Sequence, residues 1–388
     1  PVIEHCSVSG TLTVNNQTFA PKGANSGNEL VYAGLVARVI GVSVDHCVNN
    51  AAVTVDHLTV PGDTKNVYPF IGGVLAYAAE FTKTSGDKLF TNVTNCTNSA
   101  AVTYQDQSLT ELPKSRAVYI GGVLVRCAEA NHAIISNNTN DAPVTIQNAY
   151  IEHSNRPMVG GVVARTGHLA EFTGNKNTAN GTITVTGNIR KMYLGGVFGY
   201  MAAPVANFNE APCTIADCAN YADVKIECPD MIALDVAGLG GDLIYFNMTN
   251  CHNYGKSVLV KNTVASTAGT HNIAGLIGVT TGDQATLRMK YYDCTNNAAV
   301  TTEWTSATVS VFRVAGLTAY SHASWNNCHN KGAEVYVKGN ITSTAANAYF
   351  QDRNSDTQVT IGGIGGYLAS TGSYDCNNYA DVEVDATW

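Results

Sequence analysis

Charge is what this chain has least of. Asp, Glu, Lys and Arg together make up 13% of its 388 residues, about half the share of an ordinary globular protein. The balance is acidic, at −8, and the basic residues are scattered. That excludes the concentrated basic footprint of a nucleic-acid-binding domain and disfavours an anionic membrane surface. No apolar run approaches the ~18 residues a spanning helix needs. Catalytic and metal signatures are missing as well: there is no HExxH, and none of the 11 cysteines sits in a CxxC pair. Gly-rich strands are a weak match to phosphate-binding loops, because the helix such a loop would open is absent. The chain opens at Pro1 without a signal peptide, which leaves the compartment open.

A repeat fills the space. Cys6, Cys47, Cys96, Cys218, Cys251, Cys294, Cys328 and Cys376 mark one slot, and with Asn138 and Asn177 placed in it the intervals run from 33 to 49 residues. Four residues after the slot all ten repeats have Gly or Ala, from Gly10 and Ala51 through Gly181 to Ala380. Two residues after it, eight repeats carry Asn: Asn49, Asn98, Asn140, Asn220, Asn253, Asn296, Asn330 and Asn378. Alternating segments such as AAVTV at 51–55 and ADVEV at 380–384 then read as strands. A second block precedes every slot but the first, running small residue, Gly, aliphatic: Gly34, Gly73, Gly122, Gly161, Gly196, Gly238, Gly275, Gly316 and Gly363.

This period, without helical periodicity, predicts an all-β fold. The expected architecture is one parallel β-helix (β-solenoid) over 1–388, with about ten coils, three short strands per coil and long variable loops. Equivalent slots would stack ~4.8 Å apart. The Asn row fits a ladder at a turn, since Asn tolerates the left-handed conformation and its amide can bond to the amide of the next coil. Segments such as VLAY, VLVR and VFGY, which follow the Gly pair, are apolar at successive positions. That predicts a sheet covered on both faces, by the long loops or by another molecule. Four residues after the Gly stands a row of Arg38, Tyr77, Arg126, Arg165, Tyr200, Tyr320 and Tyr367, suited to an interface or to flanking a corner.

Segments such as AGLIG (274–278), AGLGG (237–241) and GGIGGY (362–367), followed by NCHNYG or DCNNYADV, resemble the GLUG-motif repeats of bacterial surface proteins. Here Leu is often replaced by Val and the spacing is longer. Such repeats occur in large secreted or cell-surface proteins, some adhesin-like and some attached to peptidases. The resemblance therefore implies fold and location and supplies no catalytic residues.

The residues that could carry chemistry have plainer readings beside them. Stacked cysteines one per repeat read as small buried thiols, with disulfides or metal as alternatives. Cys127, Cys213 and Cys228 lie off the ladder, and their state is open. The residue before the slot is His5, His46, Asn95, Asn137, Asp217, Asn250, Asp293, Asn327 or Asp375. Its carboxylates are spread over different coils, so it reads as a bend position rather than a calcium or catalytic row. Asp106, Glu111, Lys114 and Arg116 crowd one loop, and Asp352, Arg353 and Asp356 another, with no motif to separate a site from a solvated loop.

The expectation is an extracellular or cell-surface structural protein, neither enzyme nor metalloprotein, with no cofactor, nucleic acid or membrane span. Its ends carry no polar cap: Pro1-Val2-Ile3 leads straight into a repeat and DVEVDATW still reads as a strand. Head-to-tail self-association into a filament follows. The alternatives are a surface adhesin or glycan-binding module and, after it, a polysaccharide-degrading enzyme. The loops 338–361, 56–70 and 104–119 are the places for variable function. Tyr349, Phe350, Asp352 and Arg353 are the expected partner or glycan contact.

Overall fold

A full coil turns through four short strands, and each strand pairs in parallel with its counterpart in the next coil. This architecture comes from a computed structural model that describes residues 1–18, 28–59, 67–106, 117–128, 131–151, 156–202, 212–266, 269–281, 289–343, 358–369 and 372–387. The coil around Cys96 gives the plan. Val93–Thr94 is its first strand, Thr97–Asn98 and Val102–Gln105 form the second, Tyr119–Gly121 is the third and Leu124–Cys127 the fourth. The first sheet stacks ten strands, from Val2–Glu4 to Ser373–Tyr374. The second runs from Ser7–Thr18 to Asp381–Thr387. The third and fourth sheets stack nine strands each. Among the described residues there is no helix, and one antiparallel pair, Phe81–Thr82 with Lys88–Leu89, stands outside the stack.

The fourth strand corrects the three expected. The added strand is the one that ends at the Gly pair, where the chain turns sharply into the strand expected after it. A Cβ on Gly121 would lie 2.4 Å from the Leu124 carbonyl oxygen, which no side chain tolerates.

The bend between the first and second strands is left-handed in all ten coils. His5, His46, Asn95, Asn137, Asp217, Asn250, Asp293, Asn327 and Asp375 have φ between 48° and 57°, and Gly174 has φ 65°. Short polar side chains tolerate this region best. The left-handed role given to the Asn row therefore belongs three residues earlier. In the eight coils where a thiol follows the bend it donates back across it: Cys96 Sγ to Thr94 O (3.1 Å), Cys294 Sγ to Tyr292 O (3.1 Å), Cys328 Sγ to Asn326 O (3.2 Å).

Inside, the first and fourth strands enclose one apolar column, holding Val44, Cys96, Leu124, Phe172 and Trp325. The second and third enclose another, with Val53, Ile120, Val185 and Phe312. The Asn row meets the Gly corner between them. Asn49 Nδ2 donates to Asn98 Oδ1 (2.8 Å), and the same bond repeats through Asn140, Asn177, Asn220, Asn253, Asn296 and Asn330 to Asn378 at 2.8–2.9 Å. Each amide thus satisfies its neighbour inside an otherwise apolar core. The corner glycines pack on these amides: a Cβ on Gly275 would lie 2.1 Å from Asn296 Nδ2 and 2.2 Å from the Gly316 carbonyl oxygen.

One sequence assignment shifts. Asn177 pairs with Asn140 and Asn220 and so belongs to the amide ladder, not to the cysteine slot. Asn175 fills that slot, its Oδ1 accepting from the Asn138 backbone N–H (3.2 Å). Two extra residues before Gly181 hid this, since Asn177 Nδ2 reaches the Gly181 carbonyl four residues on (2.9 Å), against two residues on in Asn98 to Ala100.

Candidate functional site

The corner that packs inward on the amide ladder opens outward as a cleft between the third and fourth sheets. On the fourth strand two successive residues face out. Leu75 and Ala78 lie in the inner column, while Ala76 and Tyr77 join an outer cluster with Phe70, Tyr119, Val125, Met158 and Ala164. This explains the non-alternating VLAY-type segments: the cover on their outer face is the third strand of the same chain. The first of the two outward residues is small because backbones crowd there. A Cβ on Gly199 would lie 2.7 Å from the Val159 carbonyl oxygen.

Two columns line the cleft. The third sheet stacks Val31, Phe70, Tyr119, Met158, Tyr193, Asp235, Asn272, Arg313 and Thr360. The fourth stacks Arg38, Tyr77, Arg126, Arg165, Tyr200, Asp242, Val279, Tyr320 and Tyr367. Within a coil the two members are always seven residues apart, such as Tyr193 and Tyr200 or Asp235 and Asp242. Rings and guanidinium groups interleave along the cleft. Arg38 lies 4.4 Å over Tyr77, and Arg126 reaches both Phe70 (5.6 Å) and Tyr77 (5.7 Å) while pairing with Glu29 (2.9 Å). Tyr193 and Tyr200 meet at 4.8 Å, Arg313 lies 4.5 Å over Tyr320, and Tyr320 stacks on Tyr367 at 5.4 Å.

In one coil both facing positions are carboxylic acids. Asp235 and Asp242 are 4% and 7% exposed. Asp235 has both oxygens in use: Arg156 Nη1 donates to Oδ2, and Asn272 Nδ2 donates to Oδ1 (2.6 Å). Asn272 in turn accepts from Arg313 (3.3 Å), and Arg156 crosses the Tyr193 ring at 4.6 Å. Asp242 Oδ1 is buried with no hydrogen-bond partner. Burial pushes both carboxyls up, Asp242 well above the usual carboxylate range because the Asp235 charge adds to the effect. Arg156, Asn272 and Arg313 oppose the rise at Asp235. The cleft thus holds one carboxyl paired with a guanidinium beside another whose burial favours the acid form.

A cavity of about 530 Å³ lies on the first sheet, lined by His168, Glu171, Cys213 and Thr214 among others. Burial pushes the Cys213 thiol up to about 12, which removes it as a nucleophile near neutral pH.

Of the residues singled out by sequence, the column of Cys47, Cys96, Cys218, Cys251, Cys294 and Cys328 is interior, Cys376 is half-buried, and none of the 11 cysteines is in a disulfide. Among the described residues no group of three His, Cys, Asp or Glu side chains is placed to hold a metal ion. Asp106 is buried, with Tyr104 Oη 3.4 Å away. Glu111, Lys114, Arg116, Tyr349, Phe350, Asp352, Arg353 and Asp356 lie outside the described residues. The fourth-sheet row was legible in part, without Asp242 and Val279. The third-sheet row, with Asp235, was not, although the seven-residue spacing across every corner glycine is present in the sequence. Compared with protein-family models, with curated proteins and with solved structures, the chain has no match in any.

Proposed function

We propose that this protein is an extracellular structural β-solenoid whose cleft holds an extended ligand, most simply a glycan chain of a surface. The observation that carries this reading is the pair of outward columns, in which half-buried Tyr193, Tyr200, Tyr320 and Tyr367 share the cleft walls with guanidinium, carboxyl and amide groups. Aromatic faces with polar groups between them are what ring-shaped, hydroxylated ligands use. The GLUG-like segments support a surface location. The test is binding of soluble polysaccharides to the intact chain by calorimetry, with the double variant Tyr193→Ala and Tyr200→Ala. Binding that the double variant retains in full counts against the cleft.

A second reading, head-to-tail self-association, draws support from the end coils. Val382 and Val384 are 43% and 42% exposed, whereas their counterparts Val53 and Val55 are fully buried. The first two sheets have one strand more than the third and fourth. A second copy stacked on the last coil would cover these valines and extend the second sheet. Light scattering over a concentration series tests it, and a constant monomer mass counts against it.

A further inference from the structure

Resting on the cleft reading, we infer that the coil of Asp235 and Asp242, with Tyr193 and Tyr200 beside it, is a subsite for an uncharged saccharide unit. The inference starts from hydrogen-bonding capacity. Asp235 spends both oxygens on Arg156 and Asn272. Asn272 spends its amide on Asp235 and its oxygen on Arg313. Asp242, 7% exposed, faces the same side as Tyr200, yet its Oδ1 has no partner. A buried polar group left unpaired is costly, and sites built for ligands are where such groups are kept.

The surroundings select the chemistry. The tilted pair Tyr193 and Tyr200 offers an aromatic wall one rung away. A carboxyl in its acid form both donates and accepts, which matches a sugar hydroxyl. An anionic sugar placed there would face the Asp235 carboxylate, and the guanidinium nearest to it, Arg156, is already joined to that carboxylate. These groups suit a neutral hexose unit better than a uronate.

The experiment uses the full chain with neutral gluco- and manno-oligosaccharides and with glucuronate oligomers as probes, comparing wild type with Asp242→Asn and Asp242→Leu. Asparagine keeps a donor and an acceptor, so affinity for the neutral probe should stay within a few-fold. Leucine removes both and should weaken it about tenfold or more. Thermal unfolding of both variants shows that the fold persists, and the asparagine variant keeps the test valid should leucine unfold. Raising the pH should weaken neutral-probe binding by wild type and leave Asp242→Asn unaffected. Unchanged affinity in Asp242→Leu, or binding of the glucuronate oligomers alone, overturns the subsite while the cleft reading stands. No binding of any oligosaccharide by wild type overturns both.

Discussion

The inner seam and the outer cleft sit on opposite sides of the same glycine corner, yet one repeats almost unchanged in every coil and the other changes at every step. In the seam an Asn amide answers the amide of the next coil, and a glycine lies against it. A different side chain there takes a partner from two neighbours or collides with backbone. The cleft obeys only a coarse rule, that the apex residue be small. Its walls pass from Phe70 and Tyr77 to Asp235 and Asp242 to Arg313 and Tyr320. Stacking dictates the first set, and contacts to something outside the coil are free to shape the second.

The largest expected effect breaks the seam at its tightest point. Gly275→Val places atoms where a Cβ alone already approaches Asn296 and the Gly316 backbone to within 2.2 Å. Neither neighbour can yield, since each is fixed by the coils on both sides. A loss of about 3 kcal/mol or more is expected, read by chemical denaturation. A variant as stable as wild type would mean the corner is looser than its geometry.

Next is the ladder itself. Asn253→Leu takes one of two partners from Asn220 Nδ2 and from Asn296 Oδ1, and deletes the bond to the Gly275 carbonyl. The cost should be about 2–3 kcal/mol. The same change at half-exposed Asn378, whose upper side meets no further coil, should cost about half as much, because water can replace the lost partner. Equal costs at both positions would remove the argument that the ladder works by mutual burial.

The cleft responds differently, and pH exposes the contrast. Asp242 has its folded pKa raised well above 3.8 by burial and by Asp235. The native state therefore binds more protons than the unfolded chain, and stability falls as pH rises from about 4 towards the folded value. Asp242→Asn should flatten this dependence and equal or exceed wild type at pH 7. Urea midpoints at pH 4.5 and pH 7.5 check it, and an unchanged slope in the variant would show that Asp242 is not the group responsible.

These contrasts explain what the sequence made legible. The solenoid, the cysteine column and the amide ladder could be read because vertical stacking forces one residue type into one slot, as in Asn253, Asn296 and Asn330. The fourth strand could not, because a Gly pair marks a corner without saying whether the chain bends or reverses. Asn177 was misplaced by two residues because the insertion falls between the amide position and Gly181, a step that is two residues in every other Asn-bearing coil. Asp235 and Asp242 escaped notice because their facing pair occurs once. A feature that does not repeat gives a repeat alignment nothing to count, so Asp242 looked like a gap in a row of Arg and Tyr.

The smallest effect belongs to the thiols, and it sharpens the comparison at the ends of the stack. Cys6 is exposed and Cys376 half-buried, while Cys47, Cys96, Cys218, Cys251, Cys294 and Cys328 are fully buried. The buried column is inaccessible, and at Cys96 burial also pushes the thiol up to about 12, so that its thiolate is scarce. Alkylation of the native protein near pH 8 should label Cys6 first and Cys376 more slowly. The buried column should react only at the rate of unfolding, with mass spectrometry of peptides as the readout. Cys6→Ser should change stability by less than about 0.5 kcal/mol, since its thiol is exposed and bonds to the Glu4 carbonyl at the surface. Cys294→Ala should cost about 1 kcal/mol, as it loses a bond to the Tyr292 carbonyl and a sulfur in the core. Labelling of Cys294 as fast as Cys6 would mean that the coils part far more readily than a column of stacked, mutually satisfied rungs allows.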